Sequence, residues 1–375
     1  MSVSFSRADT SVIGRWWWTV DRWTLVAILL LIGAGAMLTL AASPPAAARI
    51  RLDSFHFVRQ QMILLPLAFG LMLGISLLSL RSIKLLAVIV LAAGFVFTLY
   101  ATFYGAEIKG ARRWINLGGF SLQASEFLKP SFAVVAAWLF SLQRTRPGSR
   151  GAWIAAGLGG ILILVLLKQP DLGMAAVVFA TWFALFFMAG LPVIWIALFV
   201  ALGAGGLFAA YKFLPHVTQR INLFLDPSSG DNYQVDMSLG AFMNGGLFGR
   251  GPGEGTVKAQ LPDAHSDFVF AVAGEEFGLI ACLLIVAVYL FIVLRGLSRV
   301  LAETNLFILY AATGLLVGFG LQAFINMASA LHLVPTKGMT LPFISYGGSS
   351  LLALAIGMGM LLALTRKRYG PGVEQ

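Results

Sequence analysis

Ten apolar stretches divide the chain. They run roughly over Trp23–Ala42, Gln61–Leu80, Leu85–Tyr104, Ser125–Leu142, Trp153–Leu167, Gly173–Gly190, Pro192–Phe213, Phe268–Leu294, Asn305–Ser329 and Gly348–Leu364. Most approach the ~20 residues a helix needs to cross a bilayer; the fifth is short and the fourth opens on polar residues. Lipid offers no partner for a backbone N–H or C=O, so such stretches satisfy both internally, as helices. The pattern predicts an all-α polytopic membrane protein of about ten transmembrane helices. It reads as one transmembrane domain over residues 23–365, with tails at 1–22 and 366–375. A large loop, 214–267, separates the seventh and eighth spans.

Composition agrees. The 375 residues are 59% hydrophobic and 11% charged, with a mean hydropathy of +0.86. A soluble domain is roughly 45–50% apolar and about 25% charged. A soluble enzyme and a disordered chain are both excluded. The single cysteine, Cys282, excludes an internal disulfide and a cysteine-based metal site. The first stretch is longer than the ~7–15 residues of a signal-peptide core, and further spans follow at once, so it reads as an uncleaved helix. Trp16, Trp17, Trp18 and Trp23 suit the headgroup level.

Ten spans place both termini on one side. A raw count of the 26 basic residues is a tie. The compact clusters Arg144–Arg150, Arg295–Arg299 and Arg366–Arg368 beside span ends then point to cytoplasmic termini and an extracytoplasmic 214–267 loop. The net charge of +10 needs no nucleic acid, since most of it follows from topology.

Polar residues concentrate in four segments. The 214–267 loop carries Arg220, Arg250, His265 and Asp267, an apolar-periodic piece over Val235–Phe248, and a glycine-rich run from Gly245 to Gly255. That run is either a flexible connector or a wall whose N–H groups approach an anion. It lacks the Lys-Ser/Thr ending of a nucleotide loop. The segment 105–130 holds Arg112, Arg113 and Trp114, which suit an interfacial anchor or a phosphate clamp. In it Glu126 and Lys129, at i,i+3, share a helix face as an ion pair or as the wall of a cavity. Between spans five and six, Lys168 and Asp171 are placed to pair across a turn broken by Pro170 and Gly173. Residues 335–350, with Lys337, Ser345, two prolines and three glycines, cannot form a regular helix and suit a broken segment beside a site.

Several chemistries are excluded. None of the four histidines lies in a His-Glu-x-x-His pattern, and no internal repeat supports an inverted-repeat transporter. Asp267, at the mouth of span eight, is either a helix cap or a general base beside a cation-rich loop. Glu275 and Glu276 follow it, and at ~100° per residue at most one of them shares a cavity with Asp267.

Seven pieces, in order along nearly the whole chain, resemble the SEDS family (shape, elongation, division and sporulation). They are Gly110–Asn116, Ser125–Pro130, Gln169–Gly173, Arg220 to Pro227, Gly245–Gly251, Ala264–Phe268 and Leu341–Ser350. The run Pro335–Pro342 is nearer the division branch (FtsW) than the elongation branch (RodA), and Ser266 stands where threonine is commoner.

The resemblance implies a peptidoglycan glycosyltransferase. Such an enzyme polymerises lipid II, a disaccharide-peptide on undecaprenyl pyrophosphate, through β-1,4 bonds. It implies a class B penicillin-binding transpeptidase and other divisome membrane proteins as partners, and the bacterial cytoplasmic membrane at the division septum as the location. Asp267 matches the family's essential loop aspartate, and Trp114 a tryptophan tied to activity. A positioned carboxylate is worth ~10²–10⁴ in rate toward a sugar hydroxyl. Arg112, Arg113, Arg220, Arg250 and Lys337, or a divalent cation (Mg2+ or Mn2+) with Asp267 as a candidate ligand, would stabilise the leaving pyrophosphate. Glu126, Lys129, Lys168, Asp171, His265 and Ser345 complete the candidate substrate-binding set. The alternatives are a lipid II flippase, with Glu126, Lys129, Lys168 and Asp171 along its path, an elongation polymerase, and a scaffold without catalysis.

Overall fold

The computed structural model describes residues 11–108, 111–118, 120–146, 148–190, 193–226, 232–335 and 338–368. Four helices come first: α1 (Val12–Thr19), α2 (Arg22–Arg49), α3 (His56–Ser76) and α4 (Leu80–Tyr104). An antiparallel sheet of β1 (Ala106–Ile108), β2 (Ala111–Leu117) and β3 (Phe120–Leu122) follows. Then come α5 (Ser125–Thr145), α6 (Gly151–Lys168), α7 (Leu172–Met188), α8 (Val193–Phe213), α9 (Pro215–Leu225) and α10 (Tyr233–Gly245). A short 3-10 turn at Val257–Ala259 leads to α11 (Val269–Val300), α12 (Leu306–Ala330) and α13 (Gly348–Leu364).

Each of the ten apolar stretches coincides with a helix. By length and apolarity, six described helices suffice to cross a membrane: α2, α3, α4, α6, α11 and α12. Ala197–Phe213 of α8 and Val217–Leu225 of α9, bent by 100°, make a seventh if taken as one broken span. α7 and α13 have 17 residues each. At 1.5 Å per residue that is about 25 Å, short of a ~30 Å hydrocarbon core.

The fold is mostly helical, as expected, and a small sheet adds to it. β2 alternates: Ala111 and Ile115 are buried, while Arg112 and Asn116 are exposed. That is the period of two that puts alternate residues on opposite faces. Trp114 pairs with Ala106 and Ile115 with Leu122, so both edges of β2 are covered.

α11 is broken at Gly278, which has φ +77° and ψ −176°. The glycine-rich run fills the break. Leu279 N–H donates to Gly246 O at 2.9 Å, Arg250 N–H to Glu275 O at 2.9 Å, and Gly251 N–H to Glu276 O at 3.0 Å. A β-carbon at Gly278 would collide with Gly249 N and Leu247 O, and its φ suits only glycine. The backbone groups freed by the break are thus satisfied by the loop.

The bundle brings the end of α1 and the segment after α13 together. α13 packs along α3, α5 between α4 and α12, and α11 against α2, α10 and α12. Lys367 N–H donates to Thr19 O at 3.0 Å, Arg366 to Leu78 O at 3.2 Å and Arg299 to Thr365 O at 3.0 Å. The start of α2 and the end of α13 therefore share one end of the bundle. The sheet, α9, α10 and Asp267 occupy the other.

Candidate active site

Asp267 precedes α11 without capping it. Phe268 holds the cap position and makes no side-chain cap bond, which removes the helix-cap reading. The Asp267 side chain is half-buried. Its backbone is held from two directions: its N–H donates to Asp263 O at 3.0 Å, and Asn326 Nδ2 donates to its O at 2.9 Å. Asn326, fully buried on α12, also donates to Met339 O at 2.6 Å. One amide thus ties the Asp267 turn to the segment before α13. Gly338 lies against the carboxylate, where a β-carbon would meet Oδ2 at 3.2 Å.

That segment has no regular secondary structure between Gly338 and Gly347, as Pro342 and the two glycines require, and Met339 and residues 341–345 are buried in protein. Ser345 Oγ donates to Ser266 O at 2.5 Å and accepts from Leu341 N–H at 2.7 Å. Ser345 is therefore a buried latch on the Asp267 turn, not a ligand contact. His265 stacks on Phe57 with ring centroids 4.1 Å apart, beside Tyr346. Lys337 lies outside the described residues.

Across from Asp267 stands a group of charges. Arg113 donates from Nε to Gln169 O at 2.9 Å and from Nη2 to Pro170 O at 2.5 Å, and pairs with Asp171 Oδ2 at 3.3 Å. Asp171 caps α7 through Met174 N–H at 3.2 Å. Burial pushes its pKa above the usual carboxylate value, with the Arg113 charge opposing. Arg220, on α9, feels Arg113, Asp171 and Asp267 together. Burial and the Arg113 charge lower its pKa, while the two carboxylates raise it. A cavity of ≈ 390 Å³ opens beside Arg220, between α9 and the start of α10, with Pro262 and His332 in its wall.

Below lies a second polar group. Lys129 pairs with Glu126 at 2.8 Å, both buried, as their spacing predicts. Lys129 also donates to Gln322 Oε1 at 2.5 Å, and Gln322 Nε2 donates to Thr340 O at 3.1 Å. The cavity against this pair measures only ≈ 40 Å³. That is room for about one water, not for a sugar.

Other candidates are used elsewhere. Asp171 takes Arg113, not Lys168, as its partner; Lys168 is exposed, with its ammonium 4.6 Å from the centroid of the Phe103 ring. Arg112 and Arg113 do not form one clamp. Adjacent on a strand, they diverge, and Arg112 pairs with exposed Glu107 at 3.3 Å. Arg250 braces its own loop through Asn244 Oδ1 at 2.6 Å. Trp114, half-buried on β2, stays near the sheet.

The glycine-rich run does present N–H groups to an anion, but the anion is the protein's own. Glu275 accepts from Thr256, Val257 and Lys258 N–H at 2.7–2.8 Å, and from Asn244 Nδ2 at 2.8 Å. Glu276 accepts from Gly253 and Gly255 N–H and pairs with Lys258. Neither carboxylate is left for a substrate. Asn326, Gln322, Glu275 and Glu276 are the residues that sequence reading undervalued. Gln322 and Asn326 carried a signal: two amides at i,i+4 inside an apolar span belong on one interior face. Among the described residues no three His, Cys, Asp or Glu side chains converge to hold a metal ion, so no chemical step is assigned to a divalent cation.

A family model described as cell cycle protein, covering FtsW, RodA and SpoVE, matches residues 22–370. "Probable peptidoglycan glycosyltransferase FtsW" of Caulobacter vibrioides is 43% identical over 368 residues, covering 98% of this chain and 94% of that one. The protein of the same name in Geobacter sulfurreducens is 35% identical, covering 94% and 97%. Among solved structures, a chain from a peptidoglycan synthase complex that coordinates polymerization and crosslinking superposes with a TM-score of 0.73 at 28% identity, covering 92% of this chain and 97% of that one. The rod shape determining protein RodA of Thermus thermophilus gives 0.66 at 27%, covering 95% and 99%.

Proposed function

The chain belongs to the FtsW–RodA–SpoVE family of cell cycle proteins, and from that premise we propose that it is a membrane-embedded peptidoglycan glycosyltransferase of the FtsW type, with Asp267 as its general base. The substrate is lipid II. The hydroxyl oxygen of the acceptor sugar attacks the anomeric carbon of the donor, and its proton passes to the Asp267 carboxylate. The bond from that carbon to the pyrophosphate oxygen breaks, and the leaving undecaprenyl pyrophosphate keeps the electron pair. A single displacement inverts the donor's α linkage to β. Arg220 is the cation whose charge couples to Asp267, with Arg113 coupled in turn to Arg220, and guanidinium matches phosphate oxygens bidentately.

One observation carries this reading. Asp267 is a half-exposed carboxylate, held by its backbone rather than spent as a cap, and it interacts electrostatically with Arg220, which lines a ≈ 390 Å³ cavity. A class B penicillin-binding transpeptidase is the partner, the termini are cytoplasmic, and the site works outside the membrane at the septum. Transport of lipid II would instead need a polar path, and the Glu126–Lys129 region offers ≈ 40 Å³.

The test is the purified protein with lipid II and its transpeptidase, read as glycan chains on a gel. Asp267→Asn should lose polymerisation by ~10²-fold or more while membrane insertion and partner binding persist. Full-length glycans from that variant would remove Asp267 as the base. Translocation of lipid II without polymer from the wild-type protein would favour transport, and neither activity would leave a scaffold.

A further inference from the structure

At the far end of α11 from Asp267 lies a cavity of ≈ 440 Å³ that glycosyl transfer does not use. Arg22, Arg295, Arg299 and Lys367 contribute four cations to its wall, against one carboxylate, Asp21. Asp21 is buried and already engaged. It takes Arg295 Nε at 2.8 Å and Arg299 Nε at 3.0 Å. The two arginines are therefore fixed in place, and the cavity keeps a net charge of three positive. Among the described residues, the Nη groups of Arg295 make no hydrogen bond, and Arg22 and Lys367 form no ion pair. The Arg22 guanidinium lies over the rings of Trp17 and Trp18, at 5.2 and 4.8 Å.

The apolar side of the same cavity says what kind of anion fits. Trp23 and Val26 line it and are exposed, and Leu30 continues their face of α2 one turn further on. Positions 23, 26 and 30 are spaced to form one stripe down the helix. Tryptophan at a helix end favours the headgroup level. A free phosphate ion would use only the cations. A phospholipid would use both, with its phosphate among the guanidiniums and an acyl chain along Trp23, Val26 and Leu30. Basic pockets between membrane helices have this chemistry.

We propose that this cavity binds the phosphate headgroup of an anionic phospholipid at the end of the bundle where the start of α2 meets the segment after α13. Such a lipid would tie α1, α2, α11 and the segment after α13 together from the membrane side.

The experiment is native mass spectrometry of the full-length protein, titrated with phosphatidylglycerol or phosphatidylcholine of identical acyl chains, with glycerol 3-phosphate as the free anion. The wild-type protein should retain phosphatidylglycerol selectively, and glycerol 3-phosphate should not displace it at equal concentration. The double variant Arg22→Gln/Lys367→Gln spares the Asp21 pairs. It should weaken that binding by about 30-fold, at roughly fivefold per basic side chain. The variant Arg146→Gln/Arg150→Gln, exposed and outside the cavity, should leave it unchanged. Equal retention of the two lipids, an unaffected Arg22/Lys367 variant, an equal loss in the Arg146/Arg150 control, or displacement by glycerol 3-phosphate would each overturn the proposal.

Discussion

Arg113 shows how one side chain serves both scaffold and chemistry. Its fork closes the turn between α6 and α7 through Gln169 O and Pro170 O, and its charge faces buried Asp171. Burial raises the Asp171 pKa above its usual 3.8, so folding favours the neutral acid more than the unfolded chain does. The stability that preference contributes is complete below pH 3.8 and is lost as pH rises through the raised value. Arg113 limits that loss by favouring the ionised form. Arg113→Gln should therefore destabilise the protein by about 1–3 kcal/mol at neutral pH, from an unpaired buried carboxylate and two lost hydrogen bonds. The deficit should shrink as the medium is acidified toward pH 4. Cys282 is buried and is the chain's one cysteine, so its labelling by a thiol reagent on heating measures this directly. A deficit independent of pH would show that Arg113 acts through its hydrogen bonds alone. Asp267 needs a different test, because its worth is catalytic and its substitution should barely move unfolding.

Among the elements, the break in α11 is where local sequence and tertiary structure meet. Gly278→Ala places a side chain at φ +77° and against Leu247 O and Gly249 N. Strain and overpacking together cost about 2–5 kcal/mol. The cost should appear first in the loop. Amide hydrogen exchange should speed up at least tenfold over residues 246–258 while α12 stays protected. Unchanged exchange there would mean that the loop does not depend on the break. Glu275→Gln probes the same contact from the other side. It keeps the shape but removes the charge that gathers the Thr256, Val257 and Lys258 N–H groups, so the same amides should loosen more mildly. These elements also mark how far the sequence could be read. The apolar stretches located the helices because lipid and core demand long runs of apolar residues, and the prolines and glycines of 335–350 announced an irregular segment. The i,i+3 spacing of Glu126 and Lys129 foretold their pair because both sit on one helix. Arg113 and Asp171 escaped because no periodicity links residues on different elements, and the nearby Lys168 was the obvious local partner. The strands escaped because seven residues with two arginines read as a polar loop. Glu275 and Glu276 were read against Asp267 on a helical wheel, whereas the glycine-rich loop wraps both.

On the scale of the whole molecule, the bundle holds one end that carries Asp267 and its neighbouring charges and one cationic end where the start of α2 meets the segment after α13. Asp21 is the keystone of the second. Burial alone would raise its pKa, but hydrogen bonding from Arg295 and the charge of Arg299, helped by Thr24, more than reverse this and hold it below 3.8. The sign is opposite to that of Asp171. The stability Asp21 contributes is present above pH 3.8 and disappears as pH falls through its depressed value. Asp21→Asn should therefore destabilise the folded protein by about 1–3 kcal/mol at pH 7, where Arg295 and Arg299 lose their shared carboxylate. The difference from wild type should fade in strong acid, where the native side chain is itself protonated. Because α2 and α11 meet at this pair, loss of Asp21 should expose Cys282 on α11 at lower temperature without first loosening the glycine-rich loop at the other end. Two thermal series across pH, one on Asp21→Asn and one on Arg113→Gln, should both converge on wild type as the medium is acidified, the second already toward pH 4 and the first only in stronger acid. A deficit of Asp21→Asn that persists in strong acid would show that Asp21 acts through its shape and hydrogen bonds rather than its charge.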